Sequence, residues 1–272
     1  MTTSWDPEQY LKFERERARA FHDLVAQVAD VSPQTVTDLG CGPGQLTATL
    51  ADRWPHAYVL GVDSSAEMVA EAGPLARPGR LEFVQCAIEE WRPPEPVDLI
   101  LSNAALQWVP THVDLLAQWV TGALAPAGAL AFQVPASGGS AATVAIRTVA
   151  ASPEWAPRLG ALAMRRSPRG ASSVRTADEY VDLLARLGCA VDAWETTYLH
   201  VLHGDPEGGE HPLLEWFAGT GLRPYLDALA GDPAAEAAFR KDVAEALVEA
   251  YPPAPYGTVM PFRRIFVVAR RS

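Results

Sequence analysis

Apolar and polar positions along the chain alternate between two periods. Tyr10, Phe13, Phe21 and Leu24 recur near helical spacing. Asp6 followed by Pro7 offers an N-cap and a proline at the first helical position, so an amphipathic helix is predicted from about Pro7. The β-branched run Thr35-Val36-Thr37 leads into Asp38-Leu39-Gly40-Cys41-Gly42-Pro43-Gly44, where glycines end a strand and open a helix over Gln45 to about Arg53. Tyr58 to Val62 reads as a strand ending in Asp63, and Ser64-Ser65 caps a helix through Met68. Leu81 to Gln85 is a short strand. Val97 to Leu101 is an apolar strand of the buried parallel type, followed by Asn103 and a helix across Val113 to Leu124. Gly128 to Val134 forms the next strand. Strands alternating with helices at this spacing predict an α/β fold, a parallel sheet covered by helices on both faces.

Beyond Pro135 the pattern loosens. Residues 136–175 are rich in Ala, Ser, Gly and Arg and read as a variable helical segment with loops. A helix from Ala177 to Leu187 ends at Gly188, Ala190 to Leu202 alternates as a strand, and Phe262 to Ala269 is a final strand. The stretch 205–257 between them is helical and proline-punctuated, as an insertion or cap would be. At 272 residues the chain accommodates one α/β domain and a smaller subdomain.

Charge and cysteines narrow the partners. A net charge of −11 argues against nucleic acid or an anionic membrane, and means that an anionic substrate needs a local arginine cluster. Cys41, Cys86 and Cys189 are scattered without CxxC spacing, as expected in a reducing compartment, and no HExxH or His-rich tract supports a metal. The N-terminal stretch is polar and lacks the apolar core of a signal peptide. No apolar run reaches the roughly 18–20 residues of a membrane helix. The expectation is a cytoplasmic protein with no metal.

The glycine turn carries the strongest chemical signal, because a strand stopping in glycines lets backbone approach a nucleotide where no Cβ intervenes. A dinucleotide fingerprint needs its third glycine where Gln45 stands. Here it falls at Gly44, giving GxGxG and weakening the case for a nicotinamide enzyme. A plain structural turn is the alternative. Asp63, about 20 residues on at the end of the second strand, is placed to accept both ribose hydroxyls, or to cap the following helix.

Together, DLGCGPG and GVDSS resemble the cofactor and acidic loops of class I, Rossmann-like S-adenosylmethionine methyltransferases. The similarity extends to Trp5-Asp6-Pro7 with Tyr10 and Phe13, Glu16-Arg17, Asn103-Ala104-Ala105-Leu106-Gln107-Trp108, Thr196-Thr197-Tyr198-Leu199-His200, Thr220-Gly221-Leu222-Arg223-Pro224 and the tail from Phe262 to Arg270. This set resembles the trans-aconitate 2-methyltransferases over nearly the whole chain. The resemblance implies a mostly parallel sheet with its last strand antiparallel and a helical cap. It divides the chain into an N-terminal lid helix (1–30), a cofactor-binding core (31–135), the variable segment (136–189), and the last strands with a substrate cap (190–272). It implies that Tyr10 and Phe13 cover S-adenosylmethionine, which becomes S-adenosylhomocysteine. Asp38, Gly40, Gly42, Gly44 and Gln45 line its methionine end, Asp63 its ribose, Ser64 and Met68 its adenosine, and Ile88 and Glu89 its adenine. Asn103 and Ala104 lie near the transferring methyl. Ala87 departs from the family, which carries an aspartate there for the adenine amino group. Either that contact is lost or Glu89 takes it over.

For a small acidic metabolite, the resemblance makes Arg17, Arg223 and Arg264 the candidate carboxylate ligands, since a guanidinium binds a carboxylate bidentately at any working pH. Each is alternatively a surface or salt-bridged arginine. Tyr198 and His200, two apart on a strand, share a face and either bind a carboxylate or edge a core. Gln107 and Trp108 are placed to wall the acceptor site, or to pack. Gln133-Val134-Pro135-Ala136-Ser137 departs from the family's Q-M-P-D-N-like stretch, and residues 158–175 do not map onto its pattern, which leaves a different acceptor open. A carboxylate acceptor needs no general base. For a phenol, alcohol or carbon acceptor one is required, and His200, Tyr198 and His112 are the candidates. The rivals are therefore a methyltransferase of another secondary-metabolite acceptor and a catalytically silent cofactor-binding protein.

Overall fold

The computed structural model describes residues 14–164, 174–203 and 210–271, and the side chains of all of these but 14–17 and Ser137. In chain order the elements are α1 (Glu14–Ala26), β1 (Thr35–Leu39), α2 (Gln45–Arg53), β2 (Tyr58–Asp63), α3 (Ala66–Ala72), β3 (Leu81–Gln85), β4 (Val97–Asn103), α4 (His112–Gln118) and β5 (Leu124–Pro135). They continue with α5 (Ala141–Ala150), α6 (Ala156–Ala163), α7 (Ala177–Arg186), β6 (Cys189–Leu202), α8 (Pro212–Ala218), α9 (Arg223–Leu229), α10 (Pro233–Ala250) and β7 (Thr258–Arg271).

The strands form one sheet in the order β3-β2-β1-β4-β5-β7-β6. β1 runs parallel to β2 and β4, β2 to β3 and β4 to β5, whereas β7 lies antiparallel to β5. This is the expected mostly parallel sheet with an antiparallel last strand. Central β4 is buried along nearly its whole length because both faces of a parallel sheet are covered. Its buried Ser102 donates to the Leu39 carbonyl at 2.8 Å and so joins β4 to β1 at their C-terminal ends. At the opposite end Asp98 accepts from the backbone of Gln34 and Thr35, at 2.8 and 3.0 Å.

Contacts divide the chain into two units. The first holds Met1–Pro135, Ser173–Thr196 and Arg264–Ser272, and the second Ala136–Ser172 and Thr197–Arg263. Helix α7 therefore belongs with the first unit, although the sequence groups it with the variable segment. Its boundaries follow local rules: a Thr176/Glu179 capping box opens it and Gly188, at φ +85°, closes it. Tyr180 on α7 is fully buried against Phe132 and His112. In the second unit, Trp155 donates to Asp242 at 2.7 Å and packs edge-on to Phe239, tying α6 to α10.

The helix expected over Val113 to Leu124 is shorter. After α4 the chain makes a π-helical turn over Trp119–Ala123, and β5 starts at Leu124 rather than Gly128. Ala127, at φ +59°, lets the strand absorb the Pro126-Ala127-Gly128 turn, and Trp119 buries edge-on to Trp91. β7 likewise starts at Thr258, ahead of the expected Phe262. The predicted helix start at Asp6-Pro7 lies outside the described residues; Phe21 and Leu24, farther along α1, are buried. Among the described residues no helix is long and apolar enough to cross a membrane.

Candidate functional site

The C-terminal ends of β1, β2 and β4 converge in the first unit, the place where open α/β sheets bind ligands. The β1–α2 loop is drawn over β2 by two backbone bonds, Gly40 N–H and Cys41 N–H to the Val62 carbonyl at 2.7 and 3.0 Å. Gly40, Gly42 and Gly44 all adopt positive φ, a left-handed backbone that a Cβ penalises and glycine takes freely. Their surroundings differ. A Cβ on Gly40 would collide with Ala105 Cβ, and one on Gly44 would meet Ala72 Cβ at 2.7 Å and the Phe83 ring at 2.8 Å. Around Gly42 there is open space to 4 Å. Gly44 is also the N-cap of α2 and supplies no side chain, so Gln45 opens the helix with its first-turn N–H groups uncapped.

Two carboxylates serve this loop. Asp63 accepts from Gly42 N–H and Ser65 N–H, each at 2.9 Å, and thereby fixes the loop tip against the start of α3. Its remaining lone pairs are open to further donors. Asp38 is buried beneath the loop, where one oxygen accepts from the Thr47 hydroxyl at 2.6 Å. The other, Oδ1, has no hydrogen-bond partner among the described residues. Burial pushes the Asp38 carboxyl up to about 6, opposed by the Thr47 bond and assisted by the Asp63 charge. Burial, with both of these acids nearby, raises the Cys41 thiol as well, which makes it unreactive.

Apolar and polar walls follow. Met68 and Ile88 are buried, and Ser64 and Glu89 are exposed beside them. Ala87, in place of an acid, is half-buried. At the end of β4, Asn103 is followed by Ala104 at φ +54°, a conformation unusual for alanine. Gln107 Nε2 donates to the Ala104 carbonyl at 2.5 Å, and its buried Oε1 has no partner among the described residues. As placed, Gln107 offers an acceptor and Trp108 stands beside it, half-buried. Asn103 Oδ1 accepts from Gln133 Nε2 at 2.6 Å, and Gln133 Oε1 accepts from Arg264 Nη1 at 3.0 Å.

Comparison with known proteins bears on this geometry. A methyltransferase-domain family model matches residues 36–128, the span from β1 into β5. Trans-aconitate 2-methyltransferase of Streptomyces avermitilis is 48% identical over 99% of this chain and 97% of its own length. The chain belongs to the trans-aconitate 2-methyltransferase family. Family members of the same name from Streptomyces coelicolor and Rhodococcus jostii are each 45% identical over 98% of the chain, covering 87% and 99% of their own lengths. The fold agrees with the family's class I, Rossmann-like architecture. YcgJ from Bacillus subtilis superposes with a TM-score of 0.54 at 15% identity, over 92% of this chain and 98% of its own. The plantazolicin methyltransferase BpumL superposes at 0.51 and 13%, over 98% and 90%.

Set against this family, the anticipated site residues fall into three groups. Asp38, the three loop glycines, Gln45, Asp63, Ser64, Met68, Ile88, Glu89, Asn103, Ala104, Gln107 and Trp108 all belong to the first unit, on or following the strands that end there. Tyr10, Phe13 and the Arg17 side chain lie outside what the structure describes. The rest are engaged in ways the sequence left open as alternatives. Arg223 is in the second unit, partly exposed and paired with Asp227 at 2.6 Å, one helical turn on. Tyr198 and His200, also in the second unit, are buried and stacked. His200 stacks in turn on Trp216, and both rings lie against Phe262, so this pair edges an aromatic core. Arg264 is 2% exposed and engages Gln133, so it is not placed as an open carboxylate ligand. His112 is fully buried, with Nδ1 to the Val109 carbonyl at 3.0 Å and Nε2 to the Tyr180 hydroxyl at 2.8 Å. Burial lowers its pKa, so it is a neutral, fully engaged imidazole unavailable as a base. Among the described residues no His, Cys, Asp and Glu are grouped to hold a metal.

Thr47 and Gln133 were missed. Thr47 holds Asp38 from the helix beyond the loop, and no local motif marks it. Gln133 did leave a signal: it is the one uncharged polar side chain in the apolar run Ala129 to Val134.

Proposed function

We propose that the protein transfers the methyl group of S-adenosylmethionine to a carboxylate of trans-aconitate or a closely similar acid, releasing S-adenosylhomocysteine. The observation that carries this reading is 48% identity across 99% of the chain to an enzyme of that name, with the glycine turn and acidic residues intact.

The strand ends fit the cofactor. Open space over Gly42 admits a ligand, Met68 and Ile88 offer apolar surface to a nucleoside base, and the orphan oxygen of buried Asp38 suits a cationic group. In this reading Asp63 accepts the ribose hydroxyls while keeping its hold on the loop tip. The uncapped start of α2 faces the methionine end, where its partial positive charge favours a carboxylate. Glu89, rather than Ala87, is the side chain left to reach the adenine amino group. When bound, the sulfonium supplies a methyl already activated for transfer.

Chemistry then asks little of the side chains beyond placement. An ionised acceptor carboxylate attacks with its own oxygen, a C–O bond forms as the S–CH₃ bond breaks, and the positive and negative charges cancel. No proton moves. This agrees with His112 being locked between Val109 and Tyr180. Alignment of oxygen and methyl contributes about 7–11 kcal/mol of barrier lowering. The reading also places the protein in the cytoplasm, supported by free thiols at Cys41, Cys86 and Cys189.

The test is titration calorimetry with S-adenosylmethionine, followed by a turnover assay against a panel of di- and tricarboxylates that includes trans-aconitate. Heat on cofactor binding and S-adenosylhomocysteine formed with trans-aconitate are expected. Heat without turnover on any acid would indicate a silent binder, and turnover only with phenols or alcohols another methyltransferase.

A further inference from the structure

Asn103, Gln133 and Arg264 form a row across three neighbouring strands of the first unit. Asn103 and Gln133 are directly opposed in the β4–β5 register. Arg264 opposes Pro135, two residues along β5 from Gln133. Opposed residues and residues two apart share a face, so all three side chains rise from the same side of the sheet. Gln133 is fully buried and Arg264 nearly so.

The chemistry of the row has a fixed direction. A guanidinium has five N–H donors and no acceptor. The Gln133 atom 3.0 Å from Arg264 Nη1 must therefore be its carbonyl oxygen. That turns the Gln133 amide nitrogen toward Asn103, where it donates to Oδ1 at 2.6 Å. With Oδ1 engaged, Asn103 is left with its NH₂ directed away from Gln133, at the C-terminal end of β4. A buried arginine two side chains away thus dictates whether this end of the strand offers a donor or an acceptor.

We propose that Arg264 is a positioning residue which, through Gln133, presents the Asn103 amide as a hydrogen-bond donor to the carboxylate of the acceptor. The inference rests on the carboxylate reading above and gives that site its polarity. A carboxylate accepts and never donates, so the NH₂ orientation holds it and the reversed orientation, with Oδ1 outward, repels it.

Gln133→Glu reverses the relay without leaving a buried charge alone. One Glu oxygen keeps Arg264 and the other faces Asn103, which must turn its NH₂ inward and its oxygen outward. The expected result is a KM for the carboxylate acceptor raised at least tenfold, with cofactor Kd within twofold of wild type and an unlowered thermal midpoint. Arg264→Lys, still donor-only, should retain more of the acceptor affinity than Arg264→Leu. An unchanged acceptor KM in Gln133→Glu overturns the proposal, as does equal damage to cofactor and acceptor binding. A wild type that turns over no carboxylate overturns this use of the relay together with the acceptor reading. Hydrogen exchange of the Gln133 side-chain amide separates the two failures, because slow exchange lost in Arg264→Leu shows the relay standing even when the acceptor is wrong.

Discussion

Asp38 and Asp63 lie near the ends of adjacent strands and meet opposite surroundings. Asp38 is buried, and its carboxyl is held at about 6 against an ordinary value of 3.8. Between pH values of about 4 and 6 the folded chain therefore keeps a proton that the unfolded chain has released, and stability falls as pH rises through that window. The whole effect amounts to about 3 kcal/mol at most. Urea unfolding of Asp38→Asn should lose this slope, and a slope equal to wild type would contradict the assignment. Because a cationic ligand favours the ionised carboxylate, cofactor Kd should also tighten between pH 5 and 7 in wild type and stay flat in the variant. Asp63, by contrast, works through two backbone donors. Asp63→Ala should raise the cofactor Kd at least about tenfold in calorimetry, since hydrogen bonds to a charged group are lost. Unchanged affinity would refute the ribose assignment. Both acids were legible in the sequence because each stands at a fixed offset from the glycines. The partners that define them, Thr47 and the Gly42 N–H, were not, since they depend on how the loop folds back.

The β1–α2 loop separates folding from binding within one element. Gly44→Ala forces a methyl against Ala72 and Phe83 at a φ of +84°, and should destabilise the fold by about 2 kcal/mol or more. Gly42→Ala meets nothing within 4 Å and carries only the left-handed backbone cost of about 1 kcal/mol. Its methyl nevertheless enters the space assigned to the cofactor, so Kd should rise at least about tenfold. Thermal melts and calorimetry on the pair check this, and the reverse ranking would contradict the placement of the ligand. Strands with a single strong period, β1, β2 and β4, were readable from local pattern alone. β5 was readable only from Gly128 onward: Pro126 and Gly128 signal a turn, and only pairing with β4 shows the strand running through it. Arg264 illustrates the same limit. The resemblance leaves it either a carboxylate ligand or a structural arginine, and only the register of β5 with β7 shows it set against Gln133.

On the scale of the molecule, a net charge of −11 works against an anionic acceptor, so recognition has to be local. The sequence points to local cations for this; Arg223 pairs with Asp227, Arg264 engages Gln133, and the Arg17 side chain lies outside the described residues. The chain's length-wide similarity to the trans-aconitate 2-methyltransferases supports one reaction, ester formation on a carboxylate. The measurement that tests this most directly follows a labelled methyl group from S-adenosylmethionine into the product formed with trans-aconitate. One labelled methyl per S-adenosylhomocysteine is expected, released as methanol by mild alkali as a methyl ester would be. Label that resists alkali, held in an ether or on carbon, would contradict it.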